Sequence, residues 1–184
     1  KTIDTFSDIE GDMIIFKPLH RYKKPDLVTG YWNVLPDDKT STAHQIADYA
    51  KDKGLLYGFY MGVAAHGEEG NSAGLEFVPE KKSWKKMDSK GRRATDNCIG
   101  DDEFFEWYLK VQDNTIKRYE LSNWSWDPSM GSAMNCHDES HGHIADKGAY
   151  KGWRRCIQLK SDLKRMNPGL FIQGFYGDKH FGLW

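Results

Sequence analysis

Residues 55–63, LLYGFYMGV, form a run that is apolar almost without interruption. A run of this kind is typical of a parallel strand that is covered on both faces. A helix is predicted directly before it, because Thr42-Ala-His-Gln45 fits a capping box and Gly54 suits the position just past a helix end. The sequence therefore predicts a helix followed by a buried parallel strand.

The same alternation of helix and strand continues in both directions. Toward the C-terminus, the pattern predicts a helix beginning at Asp101, a strand over residues 115–121, a helix over residues 149–166 and a strand over residues 170–176. The residues predicted to face inward in the last helix are Tyr150, Trp153, Ile157 and Leu163. Toward the N-terminus, residues 13–19 and 31–35 are candidate strands. Regular alternation indicates parallel strands joined by crossover helices.

Loop lengths distinguish an eight-fold barrel from an open doubly wound sheet. The loops after the strands are long, over residues 64–100 and 122–148, whereas those after the helices are short. A barrel extends the loops at the carboxyl ends of its strands to build a site, and no phosphate-binding glycine pattern follows any strand. The predicted fold class is therefore α/β, a partial (β/α)8 TIM-type barrel with parallel strands and long βα loops.

The length of the chain bounds how much of a barrel it can form. A complete barrel needs about 250 residues, and the chain has 184. We therefore expect residues 1–184 to be a single fragment of a barrel domain, with the later strands missing and the remainder of the barrel downstream.

Composition and charge argue against several classes of partner. The formal net charge is −1, which gives no reason to expect nucleic acid. No apolar run approaches the ~20 residues of a membrane span, so no membrane partner is expected. The three cysteines are odd in number and widely spaced, so they imply no disulfide framework.

Between residues 115 and 143 the chain concentrates indoles, carboxylates, imidazoles and a thiol. Cys136, His137, His141 and His143 are ligand types that suit zinc. Their spacing matches neither a zinc ribbon nor a metalloprotease, so no metal ligands and no cofactor are expected. Three alternatives stay open: a metal-dependent hydrolase that uses this cluster, a loop whose imidazoles form hydrogen bonds to the backbone or to neighbouring acids, and a sugar pocket in which His141 and His143 form hydrogen bonds.

Carboxylates near the predicted strand ends are candidates for catalysis, because glycoside hydrolysis needs two of them. Glu120 and Ser122 share one face of the predicted strand, since alternate residues of a strand point the same way. Asp127 lies just beyond that strand. Asp37 and Asp38 follow a short apolar run and could either bind sugar hydroxyls or start the next helix.

The order of these motifs resembles the melibiase-type α-galactosidase superfamily of retaining glycoside hydrolases. The shared features are YWNVLPDD at 31–38, GLLYGFYMG at 54–62, NCIGDDEFFEWYLK at 97–110, IKRYELSNW at 116–124, HDESHGHI at 137–144 and NPGLFIQGFYG at 167–177. The resemblance implies a barrel that hydrolyses glycosidic bonds in a carbohydrate substrate. It also implies a nucleophile in a Lys-x-Asp pattern on the strand after the helix that begins near Asp101.

At the nucleophile motif the sequence departs from that superfamily. Where Lys-x-Asp is expected, the chain reads Glu120-Leu121-Ser122, and a serine cannot form the usual glycosyl–carboxylate intermediate. Either Asp127 or Glu120 is then the available catalytic carboxylate, or the barrel binds carbohydrate without catalysis. The expected substrate-binding residues are Trp32, Asp37, Asp38, Ser122, Trp126, His141 and His143.

Overall fold

The structure is a computed structural model that describes residues 2–8, 11–16, 42–62, 81–127 and 136–174. Its helices are α1 (Thr2–Asp8), α2 (Thr42–Asp52), α3 (Asp102–Tyr119) and α4 (Gly148–Met166). Its strands are β1 (Met13–Phe16), β2 (Leu56–Gly62), β3 (Lys85–Met87), β4 (Arg93–Asn97), β5 (Asn123–Asp127) and β6 (Phe171–Gly174). The candidate strand over residues 31–35 lies outside the described residues.

Four of these strands form one parallel sheet, in the order β1-β2-β5-β6. A helix precedes each of the last three along the chain: α2 before β2, α3 before β5 and α4 before β6. β3 and β4 form a separate antiparallel hairpin, within a segment that we had predicted to be a loop. The parallel sheet with intervening helices confirms the predicted α/β fold class.

The core lies between the sheet and helices α2, α3 and α4. Trp124 of β5 is fully buried, and its Nε1 donates a hydrogen bond to Oε1 of Gln112 on α3, 3.0 Å away. Phe59 of β2 contacts the ring of Tyr119 on α3 edge to face. Because side chains alternate along a strand, the residues next to Trp124 and Phe59 belong to the opposite face of the sheet.

Helix α3 is longer than predicted, and the strand predicted over residues 115–121 is wrong. The helix continues to Tyr119, Glu120 follows it with a left-handed backbone (φ 49°), and β5 begins only at Asn123. β5 therefore lies closer to the C-terminus than predicted, with Asn123 as its first residue and Asp127 as its last.

The helix predicted over residues 149–166 is confirmed as α4, but its inward face differs from the prediction. Its buried residues are Gly148, Gly152, Cys156, Leu159 and Leu163. Tyr150 and Ile157, which we had predicted to face inward, are exposed. None of the helices in the described ranges combines the length and hydropathy that crossing a membrane requires.

Candidate functional site

The carboxyl ends of the parallel strands meet at one edge of the sheet. β2 ends at Gly62 and β5 ends at Asp127, and these two residues are register partners. Trp126 pairs with Met61 of β2 on one side and with Gly174 of β6 on the other. Trp126 and Asp127 therefore stand at the edge where parallel α/β folds bind their ligands.

The face of the sheet opposite the helices carries a row of polar side chains. The Oγ of Ser125 is 2.7 Å from Oδ1 of Asn123 and 3.1 Å from Oε1 of Gln173 on β6. Asn123 and Ser125 are completely buried. This face thus offers hydrogen-bonding groups on two neighbouring strands that lead toward the carboxyl edge.

Glu120 and Ser122 lie at the opposite, amino end of β5. Glu120 follows the last residue of α3, its side chain is mostly exposed, and its carboxylate pairs with Lys51 at 3.0 Å. Ser122 precedes β5, and its backbone forms hydrogen bonds to both neighbouring strands. Neither residue is at the edge that holds Asp127, which corrects the strand position on which their selection depended.

Three other predicted site residues, Trp32, Asp37 and Asp38, lie outside the described residues. The backbones of Trp126 and Asp127 are placed at the carboxyl edge, as described above. The two remaining predicted residues, His141 and His143, belong to a separate cluster near the start of α4.

This cluster brings together two thiols and two imidazoles. One donor atom from each of Cys98, Cys136, His141 and His143 lies within 4.8 Å of all the others. The Sγ of Cys136 is 3.3 Å from Nδ1 of His141, and the Sγ of Cys98 is 3.6 Å from Nε2 of His143. The four residues are at most 8 % exposed. His141 and His143 therefore face buried thiols, whereas we had expected them to line a sugar pocket.

The composition of the cluster also differs from the set that the sequence suggested. His137 is not part of it, and Cys98, from the segment just before α3, completes it. Spacing alone could not reveal Cys98, because the fold brings it to Cys136 from a distant part of the chain. The available signal was weak: Cys98 stands shortly before the helix predicted to begin at Asp101.

The two cysteines influence the protonation of one another and of a neighbouring histidine. The hydrogen bond between the two thiols raises the pKa of Cys98, and burial acts in the same direction. The same bond lowers the pKa of Cys136, against the opposing effect of burial. Burial lowers the pKa of His141, but its hydrogen bonds to Cys136 and to the Ser83 carbonyl outweigh this effect, so its pKa is raised.

The parallel sheet and its intervening helices define the α/β class of proteins. Solved structures with this fold include glycoside hydrolases. An α-galactosidase from Lactobacillus brevis matches with a TM-score of 0.63 and 12% identity, over 94% of this chain and 24% of its own. An α-galactosidase from Geobacillus stearothermophilus matches with a TM-score of 0.65 and 10% identity, over 94% of this chain and 24% of its own.

An α-amylase from Geobacillus thermoleovorans is also similar, with a TM-score of 0.58 and 14% identity, over 96% of this chain and 39% of its own. The chain thus spans about a quarter to two fifths of the length of these structures. At such low identity the likeness shows the fold alone, which is α/β and corresponds to part of a TIM-type barrel. No protein-family model and no curated protein matches the chain.

Proposed function

We propose that the chain forms part of the catalytic barrel of a glycoside hydrolase and that Asp127 is its catalytic carboxylate. The observation that carries this proposal is the position of Asp127 as the last residue of β5, at the carboxyl edge of a parallel sheet. Barrel enzymes place their catalytic residues at the carboxyl ends of strands. The fold-level likeness to α-galactosidases supports a sugar substrate, and we extend it to an α-galactoside-like one.

The corrected position of β5 changes the comparison with the Lys-x-Asp pattern. With the strand at Asn123–Asp127, the last position of that pattern falls on Asp127 and the first on Ser125. A carboxylate, which can form a glycosyl ester, then stands where a nucleophile is required. In this proposal Ser122 does not occupy that position, so the serine gives no reason to favour a barrel that binds sugar without catalysis.

In the proposed reaction, a carboxylate oxygen of Asp127 attacks the anomeric carbon while the bond to the leaving-group oxygen breaks. A general acid from another strand protonates that oxygen, and water later releases the sugar from the ester. Trp126 and the predicted contacts Trp32, Asp37 and Asp38 would bind the sugar.

The test is hydrolysis of a panel of nitrophenyl glycosides by the full-length protein, led by the α-galactoside. We expect Asp127→Asn to lower turnover by about 10²-fold or more, because the amide is a poor nucleophile. Glu120→Gln is the matched control and should leave turnover unchanged, since Glu120 is exposed at the opposite end of β5. Full turnover in Asp127→Asn would refute the assignment.

A second measurement separates a catalytic role from a structural one. In Asp127→Gly, added azide should restore nitrophenolate release by attacking the anomeric carbon in place of the carboxylate. The product would be a glycosyl azide with the anomeric configuration inverted relative to the substrate. A residue that only supported the fold would not give this rescue.

A further inference from the structure

We propose that Cys98, Cys136, His141 and His143 form a structural zinc site. Zinc prefers tetrahedral coordination by thiolate and imidazole, which are the two ligand types present. Tetrahedral zinc bond lengths put neighbouring ligand atoms about 3.3–3.8 Å apart. The two sulfur–nitrogen pairs of the cluster are 3.3 Å and 3.6 Å apart, and no pair of donor atoms exceeds 4.8 Å.

The orientation of the imidazoles supports metal binding. The Nε2 of His141 is 2.5 Å from the carbonyl oxygen of Ser83, and the Nδ1 of His143 is 3.4 Å from that of Ile144. A nitrogen that donates its hydrogen to a carbonyl leaves the other nitrogen of the ring unprotonated. In both histidines that other nitrogen faces the thiols, which is the outer-shell arrangement of metal-binding histidines.

A carboxylate reinforces this arrangement at His141. The Oδ2 of Asp138 lies 3.6 Å from its Nε2, and the same carboxylate forms an ion pair with Arg93 of β4. Asp138 is itself fixed by hydrogen bonds from the backbone and side chain of Ser140. The ring of His141 is therefore held by groups that do not belong to the ligand set.

The charge of the ligand set suits zinc. A cysteine binds a metal as its thiolate, so ligation removes the proton from each thiol. Two thiolates balance the 2+ charge of zinc, so the occupied site brings no net charge into the interior.

Two glycines fix the ring of His143. A Cβ on Gly100 would lie 3.1 Å from Cδ2 of His143, and a Cβ on Gly148 would lie 3.0 Å from its Cε1. Side chains at either position would push the imidazole away from the sulfurs. The ring thus occupies a slot that is open only because both neighbours lack a side chain.

The burial of the cluster indicates a structural role. Cys136 is 1 % exposed and His141 is 2 % exposed, so a substrate has no access to the pair as a nucleophile and base. Four protein ligands also leave no open position on a tetrahedral metal, unlike a catalytic site. The metal would tie the segment before α3 to the segment before α4, which is the connection that begins after Asp127.

The test is the metal content of the full chain, purified with a reductant and without a chelator. We expect about one zinc ion per chain. Cobalt(II) exchanged for zinc should show thiolate-to-cobalt charge transfer and the intense visible bands of a tetrahedral site. Cys98→Ser and His143→Gln should each lower the zinc content at least about tenfold.

Two matched controls report on specificity. Cys156→Ser removes a buried cysteine outside the cluster, and His137→Gln removes a histidine from the same segment that does not belong to it. Both should retain zinc. The proposal is overturned if the reduced, unsubstituted chain takes up neither zinc nor cobalt, or if Cys98→Ser and His143→Gln keep full stoichiometry. If a substituted chain does not fold, uptake of zinc or cobalt by the unsubstituted chain still tests the proposal.

Discussion

At the scale of single residues, Gly148 occupies the most restricted position near the cysteine–histidine cluster. Its backbone is right-handed helical, with φ −56°, so alanine would fit the backbone without strain. A Cβ there would nevertheless overlap the carbonyl oxygen of Cys136. We expect Gly148→Ala to lower the free energy of unfolding by about 1–3 kcal/mol, as measured by urea denaturation.

Gly169→Ala is the matched control for this prediction, because a Cβ on Gly169 meets nothing within 4 Å. Its effect should stay within about 0.5 kcal/mol. Equal effects of the two substitutions would show that the loss of glycine's conformational freedom, and not steric overlap, dominates at Gly148.

Individual residues also explain why the sequence predicted the candidate site only in part. Asp127, the proposed catalytic residue, could be named from the sequence because a carboxylate next to Trp126 is visible without knowing the fold. The position of Glu120 was predicted wrongly because the strand was expected over residues 115–121, whereas β5 begins at Asn123. Cys98 was missed as a partner of Cys136, because only the packing of two loops against each other brings the two sulfurs together.

At the scale of elements, the local sequence pattern did not predict the C-terminal part of α3. Gln112 and Asp113 are polar and suggested a loop, yet both are buried within the helix. Gln112 accepts from the indole of Trp124 at 3.0 Å, and Asp113 accepts from Asn167 at 2.9 Å. Because these partners are distant in sequence, tertiary hydrogen bonds sustain a helix that local polarity argued against. α2, β2, α4 and β6 were predictable, since their capping and apolar patterns are local.

A contact between α3 and α4 leads to a pH-dependent prediction. Asp102, in the first turn of α3, accepts a hydrogen bond from Lys151 of α4 at 2.8 Å and pairs with Arg155 of α4. Lys151 also donates to the carbonyl of His141. The hydrogen bond from Lys151 is the main cause of a lowered pKa for Asp102, and Arg155 contributes further.

A carboxyl group whose pKa is lower in the folded state stabilises the fold above its unfolded pKa, here 3.8. That contribution is lost as the pH falls through the still lower folded pKa. Because the Asp102 side chain is 66% exposed, its coupling with Lys151 should be at most about 1 kcal/mol. A double-mutant cycle of Asp102→Asn and Lys151→Met, measured by urea denaturation, should show this coupling at pH 7. A coupling that persists undiminished at pH 2 would contradict the prediction.

At the scale of the whole molecule, the described sheet has two outer strands, β1 and β6. Phe171 of β6 is 57% exposed, and beside it lies a groove of about 550 Å³ that Ile157, Leu170 and Ile172 also line. In a closed barrel every strand has a neighbour on both sides, and side chains fill the interior. The fold-level likeness to longer glycoside hydrolases supports the proposal that further strand–helix units cover this edge.

Phe171→Asp tests whether the sheet continues past β6 in the full-length protein. If the next strand buries Phe171, the substitution loses the burial of an aromatic ring and buries a charge, at a cost of about 3 kcal/mol or more in unfolding free energy. In the isolated 184-residue chain the same change should cost less than about 1 kcal/mol, because the ring is already exposed. Ile144→Asp is the control, since Ile144 is 63% exposed and lies outside the sheet; it should be nearly neutral in both proteins. Similar small effects of Phe171→Asp in the two proteins would mean that nothing packs on β6, and the barrel would then not close at this edge.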